Sequence, residues 1–241
     1  MIKIEDITKT FGAKTAVDNL SLEIPDGKIF GFLGANGAGK STTIKMITGI
    51  EKYDKGRISV NGIDISKNPL LAKSQLAYVS DEPTFYEHMT GIQYLNFIAD
   101  IFELSVSERK TNIDKYASLF DLINPLNEPV SRYSHGMKQK LSLIAAFMHS
   151  PKAIVLDEPM VGLDAKTSRV LKDTLRDYAK KGNTVFYSTH VMDMAERFCD
   201  NIAILNKGKL IFTGTFEELR AQKGKSDSTL EDLFLELTEG K

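Results

Sequence analysis

Gly34-Ala35-Asn36-Gly37-Ala38-Gly39-Lys40-Ser41-Thr42 decides the reading of this chain. It fits the phosphate-loop pattern G-x-x-x-x-G-K-[ST] and follows the apolar segment Lys28–Leu33. A strand there delivers the chain to the loop, and glycine lets the backbone wrap closely around an anion because it reaches φ > 0 without strain. A helix opening near Lys40 directs its free N–H groups and positive dipole end at phosphates. The pattern predicts nucleotide binding through Gly34, Asn36, Gly37, Ala38, Gly39, Lys40, Ser41 and Thr42, with Lys40 on the β- and γ-phosphates and the Ser41 hydroxyl on Mg²⁺. The competing reading, a glycine-rich turn that binds nothing, leaves the strand before it and the helix after it unexplained.

Outward from the loop, the N-terminal part reads as short strands. Ile2/Ile4 and Leu20/Leu22/Ile24 alternate, Pro25-Asp26-Gly27 makes a turn, and Gly56–Val60 ends in an Asn61-Gly62 turn. Leu76–Val79 is a further strand. From Thr90 to His149 the period becomes helical: Thr90/Gln93 form a capping box, Ile113 to Phe120 a second apolar face, and Met137 to His149 a third helix after Pro125 and Pro129. Ala153–Leu156 is continuously apolar, as a strand covered on both faces must be. A helix over Lys166–Lys180, a strand over Thr184–Tyr187 and a hairpin of Ile202–Leu205 with Leu210–Phe212 follow. Capping boxes at Thr215/Glu218 and Ser228/Glu231 start two short helices.

The 241 residues make one large domain, or one with an inserted subdomain. The net charge of −1 gives no drive toward nucleic acid or anionic membrane, and Lys223 and Lys225 read as a solvated tail. The single cysteine, Cys199, has no partner for an internal disulfide and reads as a buried structural residue. The first residues alternate like a strand rather than a signal peptide, and no apolar run approaches the ~18–20 residues of a membrane helix. A cytosolic chain is expected, with any membrane role supplied by a partner.

Three other positions carry chemistry. Asp157 and Glu158 follow the buried strand, at the carboxyl end where α/β sheets bind ligands. Asp157 is placed to hold Mg²⁺ and Glu158 to accept a proton from an attacking water. Ser134 caps an amphipathic helix whose N-terminus is a second phosphate-facing end, unless it is simply a capped helix. His190 follows a strand end beside the expected nucleotide, within reach of a γ-phosphate.

Together these residues resemble the nucleotide-binding domain of ATP-binding cassette transporters over nearly the whole chain. Ile154–Glu158 resembles the Walker B strand with its adjacent glutamate, Gly162-Leu163-Asp164 the D-loop and Thr189-His190 the histidine switch. Tyr133-Ser134-His135-Gly136-Met137-Lys138-Gln139 resembles the signature motif, keeping Ser134 and Gly136 but carrying His135 and Met137 in a form similar to that of drug and antibiotic exporters. Phe11 sits where the family stacks an aromatic ring on adenine. Ala35 replaces a common proline. Asp81 stands where the family has its Q-loop glutamine, and brings a charge toward the phosphates.

The resemblance implies an α/β fold: a RecA-like P-loop NTPase core with an N-terminal antiparallel β subdomain (residues 1–82 and 150–225), an inserted α-helical subdomain (83–149) and a C-terminal helical tail (226–241). It implies ATP and Mg²⁺ as cofactors, with Ser41, Asp157 and Asp81 at the metal and Glu158, His190 and Lys40 as catalytic groups. It further implies a head-to-tail dimer with a second cassette chain, each ATP lying between Gly34–Thr42 of one and Ser134–Gly136 of the other. An integral membrane subunit would dock near Asp81–Thr90, where Phe85 and Tyr86 are expected exposed. The expected protein is the ATPase of an exporter, peripheral on the cytoplasmic face, with no nucleic-acid partner. Two alternatives stand beside it: a non-transport cassette ATPase acting on a soluble partner, and a phosphate-loop kinase or GTPase. The second of these leaves Ser134–Gly136 and His190 without a role.

Overall fold

The computed structural model describes residues 1–224 and 227–239. In chain order the elements are β1 (Ile2–Phe11), β2 (Lys14–Ile24), β3 (Ile29–Leu33), α1 (Lys40–Ile47), β4 (Lys55–Val60), β5 (Ile63–Asp64), α2 (Pro69–Ser74), β6 (Leu76–Val79), α3 (Gly91–Ile101), α4 (Val106–Leu119), α5 (His135–Met148), β7 (Ala153–Asp157), α6 (Ala165–Lys180), β8 (Thr184–Thr189), α7 (Met192–Phe198), β9 (Asn201–Asn206), β10 (Lys209–Gly214), α8 (Phe216–Lys223) and α9 (Leu230–Glu239).

Two sheets organise them. An antiparallel sheet has the order β2-β1-β4-β5. A second sheet, β10-β9-β3-β8-β7-β6, is parallel except at β10. The α/β expectation holds. Strand alternation divides the second sheet's side chains between two cores. Phe30, Phe32, Val155 and Phe186 point to the antiparallel sheet and α1, where they meet Ile4, Ile7, Ile44 and Ile47. Ile29, Ile154, Leu156, Val185 and Tyr187 point the other way, to the cluster of Leu141, Ile144, Leu171 and Leu175. Because both faces are covered, β3 and β7 are buried at every position.

The helical stretch forms as its caps specify. Thr90 and Gln93 close a reciprocal box at α3, and Ser105 and Glu108 do the same at α4. The third helix begins two residues before the expected Met137, at His135, because Ser134 accepts the Met137 N–H at 3.3 Å. The Thr215/Glu218 box is present. The Ser228/Glu231 box is not: the cap of α9 lies one residue on, at Thr229 and Asp232. Lys223 pairs with Glu236 at 3.2 Å rather than lying free, and Lys225 falls outside the described residues. Cys199 packs on β3, where a Cβ at Gly31 would come within 2.8 Å of its Sγ, and burial lifts its thiol to about 12. β5, α2 and α7 have no counterpart in the sequence reading; none exceeds seven residues, too short for a period to show.

At the end of α5, His149 stacks flat on Phe102, with centroids 3.7 Å apart, and its Nδ1 is buried with no hydrogen-bond partner. Burial pushes the imidazole from 6.5 down to about 4. Between those values the unfolded chain binds the proton and the folded chain does not, so stability is lost as pH falls through that window. At pH 5 the loss from this residue should reach roughly 2 kcal/mol. Thermal melting of His149→Gln should show a shallower fall between pH 7 and pH 5 than the parent.

Candidate functional site

The phosphate loop joins β3 to α1 at the carboxyl edge of the parallel strands. Gly39 has φ 109°, a conformation L side chains rarely adopt, and a Cβ there would lie 2.6 Å from the Ala16 carbonyl oxygen. β2 therefore backs directly onto the loop. The Gly208 N–H donates to the Ala38 carbonyl at 2.8 Å, so the β9–β10 turn holds the loop from its other side. Beneath it, Lys40 is buried, with Nζ donating to the Gly34 carbonyl at 2.7 Å and the Ala35 carbonyl at 3.4 Å. Burial holds its ammonium below the ordinary lysine range, and the nearby Glu158 and Asp157 charges oppose that shift.

A cleft of about 720 Å³ opens over the loop. Its lining brings together most of the residues expected to act: Phe11, Asn36, Gly37, Gly39, Lys40, Ser41, Thr42, Asp81, Asp157, Glu158 and His190. Gly34 and Ala38 lie buried underneath. Ser134 and Gly136 do not line it. The Ser134 hydroxyl caps α5, and Gly136 faces the backbone of Gly162, whose carbonyl oxygen a Cβ would meet at 2.6 Å. Their neighbour His135 does reach the cleft.

Asp157 is 2% exposed, and its Oδ1 has no hydrogen-bond partner. Burial raises its carboxyl above the ordinary range, the Ser41 and Ser188 hydroxyls oppose that shift, and the Asp81 and Glu158 charges add to it. A buried carboxylate oxygen without a donor, beside a hydroxyl and open phosphate space, suits a hard divalent cation. Glu158 stands in the left-handed region at φ 46°. Its N–H donates to the Ser188 carbonyl at 3.1 Å, which ties it to β8. Its carboxylate is met twice: Oε1 lies 2.7 Å from His190 Nδ1, and Oε2 accepts from Thr189 Oγ1 at 3.1 Å. Asp81 follows β6, and its Oδ1 accepts from Ser80 Oγ and the Glu82 N–H, both at 2.9 Å.

Phe11, at the β1 hairpin end, is 49% exposed, and the Lys9 ammonium lies 4.8 Å from its ring centroid. One ring face is thus occupied by a cation held by Glu51 at 2.7 Å. Tyr86 is exposed as expected, with its ring edge-on to Phe97. Phe85 is half-buried, edge-on to Tyr94 at 4.8 Å, which corrects the expectation that it is exposed.

The family model of the ABC transporter matches residues 17–161. The chain belongs to the ABC transporter family. Over 238 residues it is 34% identical to the ABC-type transporter ATP-binding protein EcsA of Bacillus subtilis (strain 168), across 99% of this chain and 96% of that protein. It is 33% identical to the bacitracin transport ATP-binding protein BcrA of Bacillus licheniformis, across 93% and 73%. A solved ATP-binding subunit of an ABC transporter matches with a TM-score of 0.95 at 32% identity, covering 98% of this chain and 99% of that one. The cassette MJ0796, solved as a dimer after hydrolysis with ADP and Pi, matches with a TM-score of 0.80 at 22% identity, a likeness of fold.

As an ABC cassette, the chain is an ATP-binding and ATP-hydrolysing transporter subunit. The ABC fold also draws into the cleft residues that the sequence reading passed over. Lys14, Thr15 and Ala16 arrive from β2, and Lys207 and Gly208 from the β9–β10 turn. Lys207-Gly208 carried only a turn signal, and the β2 residues carried none.

Proposed function

We propose that this chain powers an exporter, as one of two cassettes that close head-to-tail on ATP and drive an integral membrane subunit. The observation that carries the reading is the placement of Glu158 beside His190 in the cleft that holds Lys40 and Ser41, while Ser134 and Gly136 stay outside it. A single chain thus presents most of a hydrolytic site and keeps a second phosphate-directed helix end for a partner. The triphosphate between them supplies the attraction, since its charge meets Lys40 and two helix N-termini.

In this reading the Glu158 carboxylate takes a proton from water as the water oxygen bonds to the γ-phosphorus. The bond from that phosphorus to the bridging oxygen breaks, and its electron pair leaves with ADP. Lys40 turns from the Gly34 carbonyl to the phosphates, and His190 donates to the γ-phosphate. Ser41 and Asp157 would hold Mg²⁺, with Asp81 as a further oxygen donor. Bound there, the ion would neutralise developing charge. Among the described residues no group of three His, Cys, Asp or Glu could hold a metal, so these side chains would supply only part of what such an ion needs.

Phe11 stacks its free face on adenine. Phe11→Ala should weaken ATP-analogue affinity about tenfold, as loss of one stacked base contact does; titration with a fluorescent nucleotide checks this, and unchanged affinity removes Phe11 from the site. Among the described residues no helix is long and apolar enough to cross a membrane. In this reading the membrane subunit docks beside Tyr86 on the cytoplasmic face. The name of BcrA, a bacitracin transport protein, and the His135/Met137 form of the signature support export. Co-purification of an integral membrane protein with the tagged chain tests the assembly; recovery of the cassette with soluble partners alone would refute it.

A further inference from the structure

We infer that Thr189 is the positioning residue of the hydrolytic base, the fixed support that holds Glu158 when His190 turns to the nucleotide. The inference rests on the reading of Glu158 as base. Three groups touch Glu158 from the end of β8: the Ser188 carbonyl on its N–H, Thr189 Oγ1 on Oε2 and His190 Nδ1 on Oε1. They differ in freedom. The His190 side chain is 51% exposed and stands at the cleft mouth, so it can exchange the carboxylate for a phosphate oxygen. Thr189 is fully buried and paired in register with Leu33 of β3. Its hydroxyl donates to Glu158 and accepts the Val191 N–H at 3.1 Å. Its single proton is committed to Glu158, and one of its acceptor positions to Val191.

The need for such a support follows from the backbone. Glu158 lies just past β7 at φ 46°, in a conformation uncommon for a residue with a Cβ. Asp157 is its last neighbour in the sheet, paired with Ser188. A carboxylate on that turn, released by His190 on nucleotide binding, would otherwise sample several rotamers. A base displaced by an ångström loses much of its rate. Thr189 also sets the peptide of His190, because its oxygen bridges to Val191 across it. One hydroxyl therefore fixes the carboxylate and the pivot of the side chain that leaves it.

The test is Thr189→Val, isosteric and suited to a strand, with Thr189→Ser as the conservative variant, in ATPase assays of the purified chain. Loss of one hydrogen bond to a charged group should lower kcat about tenfold, with KM and nucleotide-analogue affinity changed less than about twofold. Serine should restore kcat to within about threefold of the parent. In a Glu158→Gln background, single-turnover hydrolysis should fall no further when Thr189→Val is added. Full kcat in the valine variant, equal losses in valine and serine, or a parallel loss of nucleotide affinity would each overturn the inference. So would a further loss in the Gln background. Normal turnover by Glu158→Gln alone would instead remove the base assignment, a separate failure read in a separate variant.

Discussion

Glu158→Gln should bind ATP with parental affinity, hydrolyse it about 100- to 10,000-fold more slowly, the span of general-base contributions, and accumulate as an ATP-locked dimer. The variant is informative because it changes so little else. The glutamine oxygen can still accept from Thr189 Oγ1, which lies 3.1 Å from Oε2 in the parent, and the residue keeps its N–H on the Ser188 carbonyl. What disappears is a proton acceptor. Lys40, Ser41 and the loop backbone are untouched, so binding energy should persist while the chemical step stalls. If closure of two cassettes is driven by the triphosphate, a stalled site keeps its glue. Size-exclusion chromatography in ATP should then shift the variant to twice the parent mass, and a chase with ADP should return it. Phosphate release at the parental rate would remove Glu158 from the role of base.

How much of this was legible beforehand depends on how local each determinant is. The phosphate loop was, because its constraint is written in single residues: only glycine sits comfortably at φ 109°, and Lys40 and Ser41 have one place to act. β7 was, because burial on both faces leaves an unbroken apolar run. The caps of α3 and α8 were, because both partners lie within one turn. The cap of α9 was misplaced by one residue for a physical reason. Ser228/Glu231 and Thr229/Asp232 offer the same pairing, and local chemistry does not separate them. The register that forms lets the Leu230 N–H donate to Glu196 Oε2 at 2.8 Å, and Glu196 belongs to α7, a seven-residue helix without a side-chain cap. Phe85 and Tyr86 illustrate the same limit: adjacent aromatics in one loop look alike in sequence, but Phe85 turns onto Tyr94 and Tyr86 does not. The role of Ala16 was invisible because it arises from its main chain, which any residue would supply.

That main-chain contact yields the other large effect. Gly39→Ala should lower the melting temperature and suppress nucleotide binding together, whereas Gly37→Ala should do so weakly. Both glycines have positive φ, 109° at Gly39 and 79° at Gly37, so both alanines carry backbone strain of about 1–3 kcal/mol. Only Gly39 has a wall behind it. Its Cβ would lie 2.6 Å from the Ala16 oxygen and 3.2 Å from Leu205 Cδ2, whereas around Gly37 nothing lies within 4 Å. The alanine at 39 must therefore push the loop away from β2 and β9 or push those strands outward. Either movement disturbs the amide groups meant for phosphate and the seat of Lys40. For a chain of this size each kcal/mol is worth about 2–4 °C, so the strain common to both alanines costs a few degrees and Gly39→Ala should melt roughly 5–10 °C below Gly37→Ala, with nucleotide affinity reduced at least tenfold. Differential scanning calorimetry and fluorescent-nucleotide titration of the pair measure both quantities. Equal behaviour of the two alanines would show that the clash with Ala16 carries no energetic weight and that backbone conformation alone selects glycine in this loop.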